Sequence, residues 1–155
     1  SDEIKGESTA DKYVDCIDVL AWSWGMSNSG SLHDGGGGGA GKVAVQDIAV
    51  TKWVDKSTPE LLLRTANGKH IPNMKLNILK ACGLECGDAP YYTLEMDDII
   101  VSSVSTGGSG GEDRLTENVT FNFAKVKWCY TPQDEKGGLL TEVCHGWDIV
   151  ANVPN

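Results

Sequence analysis

Residues 119–130 read VTFNFAKVKWCY. Val119, Phe121 and Phe123 alternate with polar residues, the period of a strand with one buried face. From Ala124 the apolar set passes to Val126, Trp128 and Tyr130, in the opposite phase. A strand that swaps its buried face midway needs a bulge or a corner, and corners are how a sheet curls toward a barrel.

Other segments carry the same period. Cys16 to Trp24 places Leu20, Trp22 and Trp24 on one face and Ile17, Val19, Ala21 and Ser23 on the other, so both faces call for cover. Lys42 to Val54 changes phase between Val45 and Ile48, which predicts a bulge near Gln46 and Asp47. Lys75–Leu79 and Tyr91–Met96 read as a strand pair, Ile99–Val104 as a further strand, and Trp147, Ile149, Ala151 and Val153 alternate at the end. One helix interrupts the strands. Ser57-Thr58-Pro59-Glu60 supplies a cap, a first-turn proline and an acid at the positive end, and Asn67-Gly68 supplies the stop. The spacing predicts a helix over 58–67. The 155 residues argue for one domain, mainly β, a barrel or sandwich with one helix.

The charge excludes several partners. Thirteen basic residues face 22 acidic ones, a net charge of −9, and the basic residues are scattered singly. Nucleic acid and anionic membranes are therefore excluded as partners, and no apolar run approaches the ~18 residues of a membrane span. No apolar leader opens the chain, and five cysteines, an odd number, do not look like a disulfide scaffold and fit synthesis in the cytoplasm.

Each catalytic pattern meets a simpler alternative. Gly36 to Lys42 matches the start of a phosphate loop, but Val43 stands where Ser or Thr should hold the metal, and a strand follows where a helix should. Cys82, Cys86, Cys144 and His145 have loose zinc spacing. Cys16 and Cys129 lie in strand patterns, as buried small hydrophobes do. Glu112, Asp113, Arg114 and Glu117 read as an ion-paired turn. The five tryptophans suit core or interface packing better than a carbohydrate face. The residues thus point to no enzyme and no cofactor. The alternative to an assembly role is a monomeric secreted binding module for carbohydrate or protein.

Longer motifs are more specific. IDVLAWSWGMSNSGSLH (17–33), GGGGGAGKVAVQD (35–47), TKWVDKSTPELLL (51–63), GKHIP (68–72) and STGGSGGEDRLTENVTFNF (105–123) closely resemble Hcp, the inner-tube subunit of the bacterial type VI secretion system. KGES (5–8) and GWDIVANV (146–153) match the two ends. The resemblance implies a small β-barrel with one flanking helix, a homo-hexameric ring, and rings stacked into a tube. It implies a VgrG spike at the tip, a contractile sheath outside, small effector proteins in the lumen, and no catalysis. Export then runs from the cytoplasm to the extracellular space or target cell without a signal peptide.

Residues follow from the resemblance too. The ring-stacking loop is Asn28, Ser29, Gly30, Ser31, Leu32, His33, Asp34, Gly35, Gly36, Gly37, Gly38 and Gly39. A second interface loop holds Gly107, Gly108, Gly110, Gly111, Glu112, Asp113 and Arg114. Strand alternation sets Ser23 opposite Trp22 and Trp24, toward the lumen. The segment before Lys5 is shorter than the apolar strand such relatives carry, which would leave a barrel edge unpaired. Residues 81–90 depart from the pattern by carrying Cys82 and Cys86. The end of the chain leaves no room for an added toxin domain.

Overall fold

A computed structural model describes residues 4–30, 41–80 and 89–155. In chain order it holds β1 (Val19–Ser23), β2 (Met26–Asn28), β3 (Val43–Val45), β4 (Ile48–Trp53), α1 (Thr58–Asn67), β5 (Ile71–Ile78), β6 (Tyr92–Thr106), β7 (Thr116–Tyr130), β8 (Val143–Asp148) and β9 (Val153–Pro154). The main sheet runs β1-β4-β7-β6-β5, with β8 beside β7 and β9 beside β8.

The β6–β7 hairpin is the spine. Along one edge of β7, residues Thr116–Phe121 pair with β4 and Lys125–Tyr130 pair with β8. The change of phase predicted at Ala124 falls between these two neighbours. It is a corner: pairing with β6 keeps register from Tyr92 to Val101, and Asp98 on β6 turns the chain with φ 53°. The buried set on β6 shifts there from Leu94 and Met96 to Ile99 and Val101. Ile48, Leu94, Ile99 and Val119 are fully enclosed in the resulting core.

The helix lies where the sequence placed it, with a different cap. Ser57 makes no side-chain bond to the helix end. Its backbone N–H and its hydroxyl both donate to Asp55 Oδ1, at 2.9 and 2.5 Å. Gly68 ends the helix at φ 65°, a left-handed conformation that glycine adopts without penalty, and its N–H donates to the Arg64 carbonyl.

Two expectations need correction. First, the sheet does not close into a barrel. Among the described residues β1 pairs with β4 and β5 with β6, and the β1 and β5 edges face each other across a groove of about 430 Å³. Ile4, Ile17, Val19, Met74 and Leu76 line it. The neighbouring segment folds back on itself through Gly6 N–H to the Asp15 carbonyl (2.7 Å) and Ser8 N–H to the Cys16 carbonyl (3.0 Å). Those backbone groups are spent in a local turn and do not bridge the two edges. Second, Lys42–Val54 is not one bulged strand. β3 pairs with β2 and β4 with β1, in separate sheets, with the chain bending at Gln46 and Asp47.

A charged cluster ties the sheet to the helix. Lys52 follows Ile48 and Val50 on the inward face of β4 and is fully buried. Its Nζ donates to Glu117 Oε1 on β7 at 2.5 Å, to Asp55 Oδ1 at 3.0 Å and to the Trp53 carbonyl at 2.7 Å. Thr58, the first helical residue, donates to the same Glu117 oxygen at 2.7 Å. Burying both ions is costly, and these bonds offset that cost only while both partners remain.

Asp55 senses acid. Burial alone pushes its carboxyl up, but bonds from Ser57 and Lys52 outweigh this and hold it below the ordinary 3.8. A carboxylate lowered by folding stabilises the fold above its unfolded pKa and loses that effect as pH falls through the folded value. The urea midpoint of Asp55→Asn should therefore approach that of the unaltered chain below about pH 4 and lie beneath it at neutral pH. In the same assay, Glu117→Leu should cost about 3–5 kcal/mol, and Lys52→Met with Glu117→Leu should recover part of the loss. Additive losses would contradict the pairing.

Candidate functional site

The main sheet has two unlike faces. On the inner one Trp22 pairs with Val50, and Val50 with Val119. On the outer one Ser23 pairs with Ala49, Ala49 with Thr120, and Thr51 with Asn118. Around Thr51 and Thr120 the outer face carries small polar side chains that bond to one another. Thr51 Oγ1 donates to Asn118 Oδ1 at 2.8 Å, Ser102 Oγ to Asp47 Oδ2 at 2.7 Å, and Asn122 Nδ2 to Asp47 Oδ1 at 2.8 Å. Thr120 Oγ1 lies 2.7 and 2.6 Å from the Ser102 and Ser103 hydroxyls. Ser23 is exposed at one edge of this surface. Such a face is wettable.

The second loop joins β6 to β7 and is drawn back onto β4. The Arg114 guanidinium stacks 4.4 Å from the Trp53 ring centroid. Val54 N–H donates to the Leu115 carbonyl at 2.8 Å, and Ser109 Oγ to Glu112 Oε1 at 3.1 Å. Gly107, Gly108, Gly110, Gly111, Glu112 and Asp113 are exposed around this anchor. Cation–π contact with Trp53 thus takes the part that the sequence reading gave to an ion pair.

The first loop shows its base. Asn28 Nδ2 donates to the Gly41 carbonyl and Asn28 Oδ1 accepts from Gly30 N–H, both at 2.8 Å, so the two ends meet. A Cβ on Gly41 would come within 2.9 Å of Gly30 N and 3.1 Å of the Ser29 hydroxyl, so the neck needs glycine there. Ser31, Leu32, His33, Asp34 and Gly35 to Gly39 lie outside the described residues, as do Cys82 and Cys86. The strand β3 that follows Lys42 agrees with the rejection of a phosphate loop.

The cysteine reading changes. Cys129 is buried as expected, but it is bonded to Cys144, its direct partner across β7 and β8. Cys144 is then not free for a zinc set. Cys16 is exposed with a free thiol. Among the tryptophans, Trp24 stacks obliquely on Phe123 and Trp128, with centroids 6.4 and 6.1 Å apart, and Trp22 meets Tyr92 at 6.0 Å. These contacts favour packing over a sugar platform. Sequence reasoning missed the Asp47-centred cluster and the Lys52 cluster. Lys52 left one signal, a cation in phase with Ile48 and Val50.

The family described as "Type VI secretion system effector, Hcp" matches residues 1–130. "Protein hcp1" of Pseudomonas aeruginosa is 55% identical over 152 residues, spanning 97% of this chain and 93% of that protein. A structure described as a type six secretion system protein superposes with a TM-score of 0.89 at 30% identity, over 99% of this chain and 94% of the other. Hcp1 of Salmonella typhimurium gives 0.78 at 34% identity, with the same coverage. The chain belongs to the Hcp family of the type VI secretion system. It is a tube and effector protein of that machine, and the alternative of a monomeric binding domain is not favoured.

Replacing Arg114 with Ala should remove about 0.5–1 kcal/mol, the usual worth of an exposed cation–π contact. Hydrogen exchange should quicken across 107–115 and stay unchanged in β6. Equal rates in both proteins would show that Trp53 does not hold the loop.

Proposed function

We propose that residues 1–155 act as one tube domain that closes into a homo-hexameric ring and stacks ring on ring. In this reading the small polar face bearing Ser23 turns toward the lumen. The loop from Asn28 to Gly39 reaches the adjacent ring, and the loop holding Gly107, Gly108, Gly110, Gly111, Glu112, Asp113 and Arg114 forms a second contact. The tube bears a VgrG spike, fits within a contractile sheath and carries small effector proteins. Its role is structural, without catalysis or cofactor, and it leaves the cytoplasm with the discharged tube.

The observation that supports this most is the contrast between the two sheet faces. Small hydroxyl and amide groups from β1, β4, β6 and β7 form a surface that wets a channel and lets protein cargo pass. The 55% identity to the Pseudomonas protein over 97% of this chain supports the same geometry.

Charge sets the conditions. Each chain carries −9, so a six-membered ring carries six times that charge, and salt screens the repulsion between rings over about 10 Å at 0.1 M. Negative-stain images should show separate rings at low salt and stacks as salt rises. Shortening 31–39 should leave rings but prevent stacking. Stacks equally long at low and high salt would remove the electrostatic part. Absence of ring-shaped particles at every salt concentration would remove the proposal.

A further inference from the structure

The second strand pair of the β7 edge carries the cystine already described. Cys129 and Cys144 sit directly opposite each other, with Cα atoms 4.2 Å apart. Two thiols so placed stay neighbours when reduced, because the β7–β8 ladder holds their backbones opposite each other. The strand it holds, β8, pairs along its length with β7 and, on its other side, with the two-residue β9. The connection it closes, residues 131–142, is almost wholly exposed, including Leu139 and Leu140.

Reducing compartments keep such pairs as thiols, and extracellular ones favour the disulfide. On the tube reading, the protein is made in the first and discharged toward the second. We propose that Cys129 and Cys144 form a redox clamp, a dithiol while the protein is made and a disulfide after discharge. The oxidant is a small disulfide such as glutathione disulfide. Cys144 is the more accessible thiol, since Cys129 is only 4% exposed. The Cys144 thiolate attacks one glutathione sulfur, the glutathione S–S bond breaks, and one glutathione thiolate leaves. The Cys129 thiolate then attacks the Cys144 sulfur of the mixed disulfide and expels the second glutathione. Two electrons pass from the protein to glutathione, and two protons leave the protein thiols. The closed form ties β8 to β7 through a 15-residue separation, which restricts the unfolded chain.

The proposal goes beyond the tube reading, and its main test does not depend on rings. Purified protein is equilibrated in mixtures of reduced and oxidised glutathione with EDTA, which keeps metal ions off the two thiols and the nearby Glu142. Thiols are then alkylated and mapped by peptide mass, which separates this pair from Cys16, Cys82 and Cys86. Cys129 and Cys144 should pass together from alkylated to protected as glutathione disulfide rises. The melting temperature should rise by roughly 6–12 °C over the same range. The variant C129A/C144A should lose that shift, and the peptide map decides by itself if this variant fails to fold. Protein alkylated at harvest from the cytosol should carry both thiols. A pair that stays alkylated in glutathione disulfide, a shift that persists in C129A/C144A, or a disulfide already formed in the cytosol would overturn the clamp.

Discussion

Lys52 and Glu117 are charged, fully buried and 2.5 Å apart. Removing either ion alone would leave the other short of a buried partner and cost stability. Their union fixes the register of β4 on β7, because the two residues are direct cross-strand partners. Thr58 and Asp55 join the same cluster, so the start of α1 is fixed against the sheet as well. Lys56 extends the tie outward: its backbone N–H donates to Glu7 and its ammonium meets Asp15 at 2.9 Å.

Register then decides which side chains share a face. A slip of one residue would turn Ile48 and Val50 outward and bring Ala49 and Thr51 in. With the register held, the hydroxyls and amides of β4, β6 and β7 gather on one side and the apolar core on the other. The buried pair thus acts at a distance on the outer face, where it keeps Thr51 beside Asn118 and Ala49 beside Thr120. The corner at Asp98 acts in the other half, letting β5 and β8 take over as neighbours while the core stays continuous.

Much of this was legible in the sequence, for physical reasons. The helix was placed at 58–67 because Pro59 and Gly68 act locally, on their own backbone. The corner in β7 was visible because the apolar phase is a property of neighbouring residues. The Lys75–Leu79 and Tyr91–Met96 pairing was also visible, and Lys75 opposes Glu95. What escaped depends on distant partners. Lys52 and Glu117 meet across 65 positions. Asp47 meets Asn122 across 75. Cys129 looked like any buried small residue until β8 set Cys144 beside it. Barrel closure was expected, and among the described residues β1 and β5 end the strand order without pairing to each other. Family motifs carried the function because glycine loops such as 35–41 have no period or chemistry to read alone.

The most direct test of this account is the mass of the protein in solution, measured by light scattering on a sizing column. A tube subunit should elute as one species near six times 16.6 kDa. A homogeneous 16.6 kDa species that persists at high protein concentration would contradict it.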